Sequence, residues 1–262
     1  MTRRTALSAL AGALMLTALP VAAQYQGIVS LPPVGPGDSR LLLGVSALSR
    51  PAYLGAEDKV VMVLPLIDYA NRNGFFASTG SGIGYSFINT LATQAGIRVI
   101  PQFGRREGDA AALRGMGNID WGVEASAYLT QHLSMNWTLG ANLRAGGRGG
   151  EFDVGARYNT MLAPTTFMTA FAFLTAANSK SQQTWYGVDA QQSLATGYAP
   201  FAPGAGFRNL QTGISANHAI NERWILIGGI SAGRLLGEAA DSPIVRERTH
   251  FSALLALAYR MF

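Results

Sequence analysis

The stretch that decides the fold runs Leu133-Ser-Met-Asn-Trp-Thr-Leu-Gly-Ala-Asn-Leu143. Positions 133, 135, 137, 139, 141 and 143 are apolar, with Ser134, Asn136, Thr138, Gly140 and Asn142 between them and Arg144 next in phase. Strict alternation is the mark of a β-strand, whose side chains point to opposite faces in turn. Trp121, Val123, Ala125, Ala127 and Leu129 repeat it against Asp120, Gly122, Glu124, Ser126 and Tyr128. Phe152, Val154, Ala156 and Tyr158 do so against Asp153, Gly155, Arg157 and Asn159. Segments of about ten residues match a tilted strand that crosses a bilayer.

The polar face separates two kinds of β-protein. A soluble sandwich turns Lys and Glu to water, whereas here the second face carries Gly, Ser, Asn, Thr and a few mixed charges. Such a face suits a narrow lumen filled by small and paired side chains, and it places Asp120, Glu124, Arg144, Asp153 and Arg157 there. Trp121, Tyr158 and Trp224 fall near strand ends, where an interfacial aromatic girdle belongs. Alternation alone also fits a soluble β-sandwich, which stays as the alternative.

Further strands are expected at 40–48, 60–70, 75–87, 93–103, 165–176, 206–218, 224–234 and 249–262. Short turns are expected at 130–132, 162–164 and 220–223, and longer connections at 104–117, 145–150, 177–205 and 235–247. Such an alternation of short and long connections is that of an antiparallel up-and-down barrel, with short turns on the periplasmic side and long loops at the cell surface. The count is odd, whereas single-chain bacterial barrels have even strand numbers. Either the first segment does not span, or 75–87 divides at Gly80-Ser81-Gly82, or a strand hides in 177–205. The expectation is an all-β transmembrane barrel of about 10–12 strands.

Composition agrees. The chain has 262 residues, 48% of them hydrophobic and 13% charged, with 31 Gly, no Cys and a formal charge of +5. Half the usual charge content of about 25% argues against disorder and against a charged helical rod. Two of the 20 basic residues are Lys and none form a run, so nucleic acid is not an expected partner. Without Cys there is no disulfide scaffold and no thiolate chemistry.

The N-terminus reads as an export signal. Met1-Thr2-Arg3-Arg4 is a basic head, 6–19 an apolar stretch and Val21-Ala22-Ala23 a small-residue cleavage end. Residues 1–23 are then a signal peptide, 24–39 a flexible Pro/Gly-rich leader and 40–262 the barrel, with the outer membrane as its location and outer-membrane lipid as its surroundings.

Chemistry-bearing residues are sparse. His250 and Ser252 share one face of the last strand, a spacing similar to the His-x-Ser pair of outer-membrane lipid A deacylases, but no acid follows them. Asp120 and Glu124 stand roughly 13 Å apart along a strand, beyond the separation glycosidases use. The loop acids lack metal-ligand spacing, and the Gly-rich runs lack the strand-to-helix setting of a phosphate loop. No catalytic residue, cofactor or metal site is expected.

One connection is more specific. Arg234-Leu-Leu-Gly-Glu-Ala-Ala-Asp-Ser-Pro-Ile-Val245, followed by an alternating strand to Phe262, resembles the C-terminal signature of the MipA/OmpV family of outer-membrane proteins. Pro51-Ala-Tyr-Leu-Gly55, Leu64-Pro-Leu-Ile67, Gly104-Arg105 with Leu113-Arg-Gly115, and Tyr186-Gly-Val188 with Gln192-Ser193 extend the resemblance over most of the chain. It implies a non-enzymatic barrel that serves as a scaffold between a periplasmic lytic transglycosylase and a peptidoglycan synthase. A small channel or porin is the alternative, and a lipid hydrolase using His250 and Ser252 a lesser one. Tyr259 stands three positions before the terminal Phe262, where barrel proteins often keep an aromatic two before it. Asp241, Ser242, Pro243, Ile244 and Val245 are the candidate constrained loop, since Ser-Pro fixes an extended or turn backbone there.

Overall fold

The computed structural model describes residues 38–262. The signal peptide and all but the last two leader residues lie outside the described residues. The described chain forms a closed antiparallel barrel of twelve strands in sequence order, sealed where β1 (Arg40–Pro51) pairs β12 (Thr249–Arg260). Closure removes the exposed sheet edge that an open sheet of this length would present.

The odd count resolves at one of the three expected places. Segment 75–87 divides into β3 (Phe75–Ser78) and β4 (Gly82–Asn89), with Gly82 at φ +82°, a backbone favourable to glycine. The remaining strands are β2 (Lys59–Ala70), β5 (Thr93–Gln102), β6 (Gly122–His132), β7 (Trp137–Gly146), β8 (Gly149–Ala163), β9 (Thr166–Ala177), β10 (Gly206–Ala219) and β11 (Trp224–Leu235).

Two boundaries differ from the sequence reading. The turn expected at 130–132 falls at 133–136, because β6 runs on to His132, whose Nδ1 is 2.9 Å from Thr138 Oγ1 across the ladder. Leu133 and Met135 therefore alternate by coincidence: they are exposed turn residues, held by Ser134 Oγ accepting from the amides of Asn136 and Trp137. The connection expected over 145–150 is a two-residue hairpin turn, Gly147-Arg148, followed by Gly149 at φ +115°.

Outward positions are apolar around the barrel, among them Val45, Val61, Val63, Ile97, Val123, Leu143, Val154 and Leu255. At the end where β1 begins and β12 ends, Trp137 stacks edge-on to Tyr158 at 5.2 Å and Trp224 to Tyr259 at 5.1 Å, forming part of an aromatic rim. An apolar band bounded by aromatics is what a lipid-facing surface requires. Among the described residues no helix is long and apolar enough to cross a membrane.

The interior has two unlike sides. Leu42, Leu48, Leu64, Leu66, Phe171, Phe173, Ile225, Ile227 and Leu254 form a continuous apolar core from β1, β2, β9, β11 and β12. Small polar and paired charged side chains fill the other side, along β5 to β8, among them Ser126, Glu124, Asn142, Arg144 and Asp153. The polar face expected from the sequence stops short of the apolar side, and the physical reason is visible in β1, β2 and β12: they carry apolar residues on both faces, so no period-two signal marks their inward one.

Candidate functional site

The polar side is organised by Arg144, buried on β7. Its Nε donates to Asp153 Oδ2 at 2.9 Å and its guanidinium reaches Glu151 Oε2 at 2.5 Å and Glu124 Oε2 at 3.4 Å. Glu151 is also clasped by Arg208, whose Nη2 lies 2.7 Å from Oε2 and whose Nη1 donates to Oε1. Neutral donors take the remaining lone pairs: Gln102 on Glu124 at 2.5 Å, Thr175 on Asp153 at 2.8 Å and Ser181 on Glu151 at 2.8 Å. Buried charges persist only when paired and hydrogen-bonded in this way.

Ser181 belongs to a helix, not a strand. Between β9 and β10 lie α1 (Ser179–Tyr186) and α2 (Ala190–Thr196), capped by Asn178 and Asp189. Each cap accepts from a backbone amide three residues on. The structure thus places helices, not a strand, in 177–205. Ser181 ties the first helix to the ion network, and the long connections pack around both helices as a lid over that end of the barrel.

The lid has its own core. Tyr53, Ala56, Leu113, Met116, Val188 and Ile244 meet in one cluster, and Tyr186, Leu235, Ala239 and Ala240 in another. The Asp241–Val245 loop pins them together. Ser242 Oγ donates to the Tyr186 carbonyl at 2.6 Å, Ile244 is fully buried, and its carbonyl accepts from Tyr53 Oη at 2.5 Å. Pro243 and Val245 are half-buried beside them. Asp241 points away and forms an exposed ion pair with Arg248 at 2.8 Å. Burial raises the Tyr53 and Tyr186 pKa values to about 12. Burial also lowers that of Arg105, which donates to the Trp185 carbonyl at 2.7 Å beneath the Tyr53 ring.

Of the residues read as lumen-facing, Glu124, Arg144 and Asp153 meet in one network, and Arg157 stands further along the same face with its guanidinium over the Phe173 ring at 5.0 Å. Asp120 is corrected: it lies exposed before β6 begins, so the strand alternation does not reach it. Arg234 falls in phase with Trp224, Leu226 and Ile230 and is exposed on the outside of β11. Glu151, Arg208, Gln102 and Ser181 were missed. Glu151 is in phase with Asp153 and was legible from that, whereas Arg208 is itself the extra residue of a register shift between Phe207 and Asn209 that breaks the period.

His250 and Ser252 both face inward, as their spacing implies. The His250 ring packs against Gly233, where a Cβ would stand 2.2 Å from Nε2, and Nδ1 has no hydrogen-bond partner. No acid orients the imidazole, as a hydrolytic triad requires. Among the described residues no group of His, Cys, Asp or Glu is arranged to hold a metal ion.

The network divides the interior. Under the lid is a cavity of about 70 Å³, with Arg105, Arg144, Glu151, Tyr186 and Arg208 in its wall. On the side where β1 begins and β12 ends is a larger one of about 260 Å³, walled by Arg98, Tyr128, Asn142, Asp153, Arg157 and Phe173. Arg144 lines the first and its partner Asp153 the second, so the ion network is the partition between them.

These features define a class: a twelve-stranded barrel with an apolar exterior, a plugged lumen and a folded lid over one mouth. The model of the family described as MltA-interacting protein MipA matches residues 43–261, and the chain belongs to that family. No curated protein matches the chain. Solved barrels overlay it loosely. The NanC porin is 7% identical over 83% of this chain and 98% of its own, with a TM-score of 0.38. The CymD monoaromatic hydrocarbon channel is 10% identical over 92% and 93%, with a TM-score of 0.43. The translocator domain of the autotransporter NalP from Neisseria meningitidis is 10% identical over 98% and 97%, with a TM-score of 0.37. Likenesses this distant carry nothing about ligand or activity.

Proposed function

We propose that this protein is a non-enzymatic outer-membrane barrel that acts as a scaffold for peptidoglycan-remodelling enzymes, with a periplasmic lytic transglycosylase as the partner and a peptidoglycan synthase brought alongside. Membership of a family described by its interaction with MltA carries this reading. The rim of short turns supports it. Leu91, Met135 and Ile220 project there as exposed apolar residues, beyond the ends of the strands. With the termini periplasmic, this rim faces the partner and the lid faces outward.

A small solute channel is the second reading, and the plugged interior weighs against it. A solute would have to part Arg144 from three carboxylates and displace the lid. Mild crosslinking in isolated outer membranes, followed by detergent extraction and purification of the barrel, recovers a transglycosylase if the scaffold reading holds. Met135→Asp lowers that recovery while leaving the barrel folded. Recovery of the barrel without any transglycosylase defeats the proposal, and a steady conductance in planar bilayers restores the channel.

A further inference from the structure

The 260 Å³ cavity holds two arginines that the fold does not use as ion-pair partners. Arg98 donates Nε to Ser126 Oγ at 3.2 Å and Nη2 to Asn142 Oδ1 at 3.1 Å, both neutral acceptors. Arg157 makes no hydrogen bond and no ion pair with any described residue, and its Nε is buried without a partner. Placing a guanidinium in such surroundings costs solvation that neighbours normally return. Both carboxylates in the wall are engaged: Asp153 accepts from Arg144, Asn142 and Thr175, and Asp68 from Arg40. Along this side of the lumen Arg98, Arg144, Arg157 and Arg208 stand against Glu124, Glu151 and Asp153, four cations to three anions.

Both guanidiniums sit over aromatic rings. Arg98 lies over the Tyr128 ring at 5.2 Å and Arg157 over the Phe173 ring at 5.0 Å. The N–H groups that no protein atom accepts, those of Arg157 and Nη1 of Arg98, are left to donate to an oxyanion. The rest of the wall is suited to a hydroxylated ring: Ser78, Ser86, Asn89 and Gln94 supply polar atoms, and Phe76 an apolar face. At about 260 Å³ the space falls just under the range of about 300–1,000 Å³ typical of drug-sized ligands. One monosaccharide-sized molecule is the scale it fits. Arg40, Asp68 and Asn71 in its wall put its mouth at the end where β1 begins and β12 ends, and the Arg144 network closes the other.

We propose that this vestibule is a binding site for a small organic oxyanion, a sugar-sized molecule bearing a carboxylate or phosphate, with Arg157 and Arg98 receiving the charged group. The site is independent of the scaffold reading, since it needs neither a protein partner nor an open pore. Purified barrel in detergent is titrated calorimetrically with glucuronate, glucose 6-phosphate and glucose at low salt. Binding of at least one of the two anions, with none of glucose, is the expected result, and the arm that binds distinguishes carboxylate from phosphate. Arg157→Gln weakens that binding about tenfold or more, as loss of a charge-assisted pair requires, and Arg157→Lys recovers part of it. Heat-modified mobility on gels checks that each variant is folded. Absence of heat with both anions overturns the proposal, as does equal binding by wild type and a folded Arg157→Gln.

Discussion

On one side of the barrel interior Leu42, Leu48, Leu64, Ile225, Ile227 and Leu254 pack in an apolar cluster with no charge among them, while on the other Arg144 and Arg208 grip Glu124, Glu151 and Asp153. Both fill the same volume, yet they fail differently. An apolar core loses stability in proportion to what is removed, because burial is non-directional and scales with area. An ion network fails as a unit, because each charge is tolerable only while its partners remain.

The largest effect separates the two sides. Arg144→Ala leaves three buried carboxylates short of a cation and destabilises the barrel by about 3–5 kcal/mol, measured by urea unfolding in micelles. A loss below about 1 kcal/mol shows the network to be wet and loosely held. Alkaline titration probes the lid next. Tyr53 and Tyr186 titrate near 12 in the folded protein against 10 ordinarily, so folding binds their protons more tightly. Lid stability is therefore flat up to about pH 10 and falls as pH rises from there through about 12. Protease nicking of the long loops in that window, with the strands intact by circular dichroism, is the expected readout.

Ser242→Ala removes the donor to the buried Tyr186 carbonyl and costs about 1–3 kcal/mol locally. Hydrogen exchange rises in the lid and not in β6 to β8; a uniform rise denies that the lid is a separate unit. Ile227→Val, on the apolar side, costs about 0.5–1.5 kcal/mol and leaves the Arg144 network undisturbed. Asp241→Ala costs no more than about 1 kcal/mol, since its pair with Arg248 is largely exposed and screened.

Legibility followed the same division. Glu124, Arg144, Asp153 and Arg157 were visible because each is a charge on an alternate position, and a strand puts alternate positions on one face. The apolar half was hard to read as a lumen, because β1, β2 and β12 are largely apolar on both sides and periodicity has little to distinguish. The loop Asp241–Val245 stood out through its resemblance to the family signature, yet only packing shows what it does: Ile244 fills the lid core and Ser242 ties it to α1. Arg208 lay beyond reach, since it is the extra residue of a bulge and turns inward beside Asn209, out of step with the strand's alternation.

The sequence by itself determined a β-barrel built on period two, its apolar outward face and most of its twelve strands, because strand geometry is local and repeats every second residue. The lid, the partition across the lumen and the pairing of Arg208 with Glu151, 57 positions apart, were decided only by the tertiary structure. Those depend on closure, which brings distant strands and loops to one end at a register that no single segment encodes.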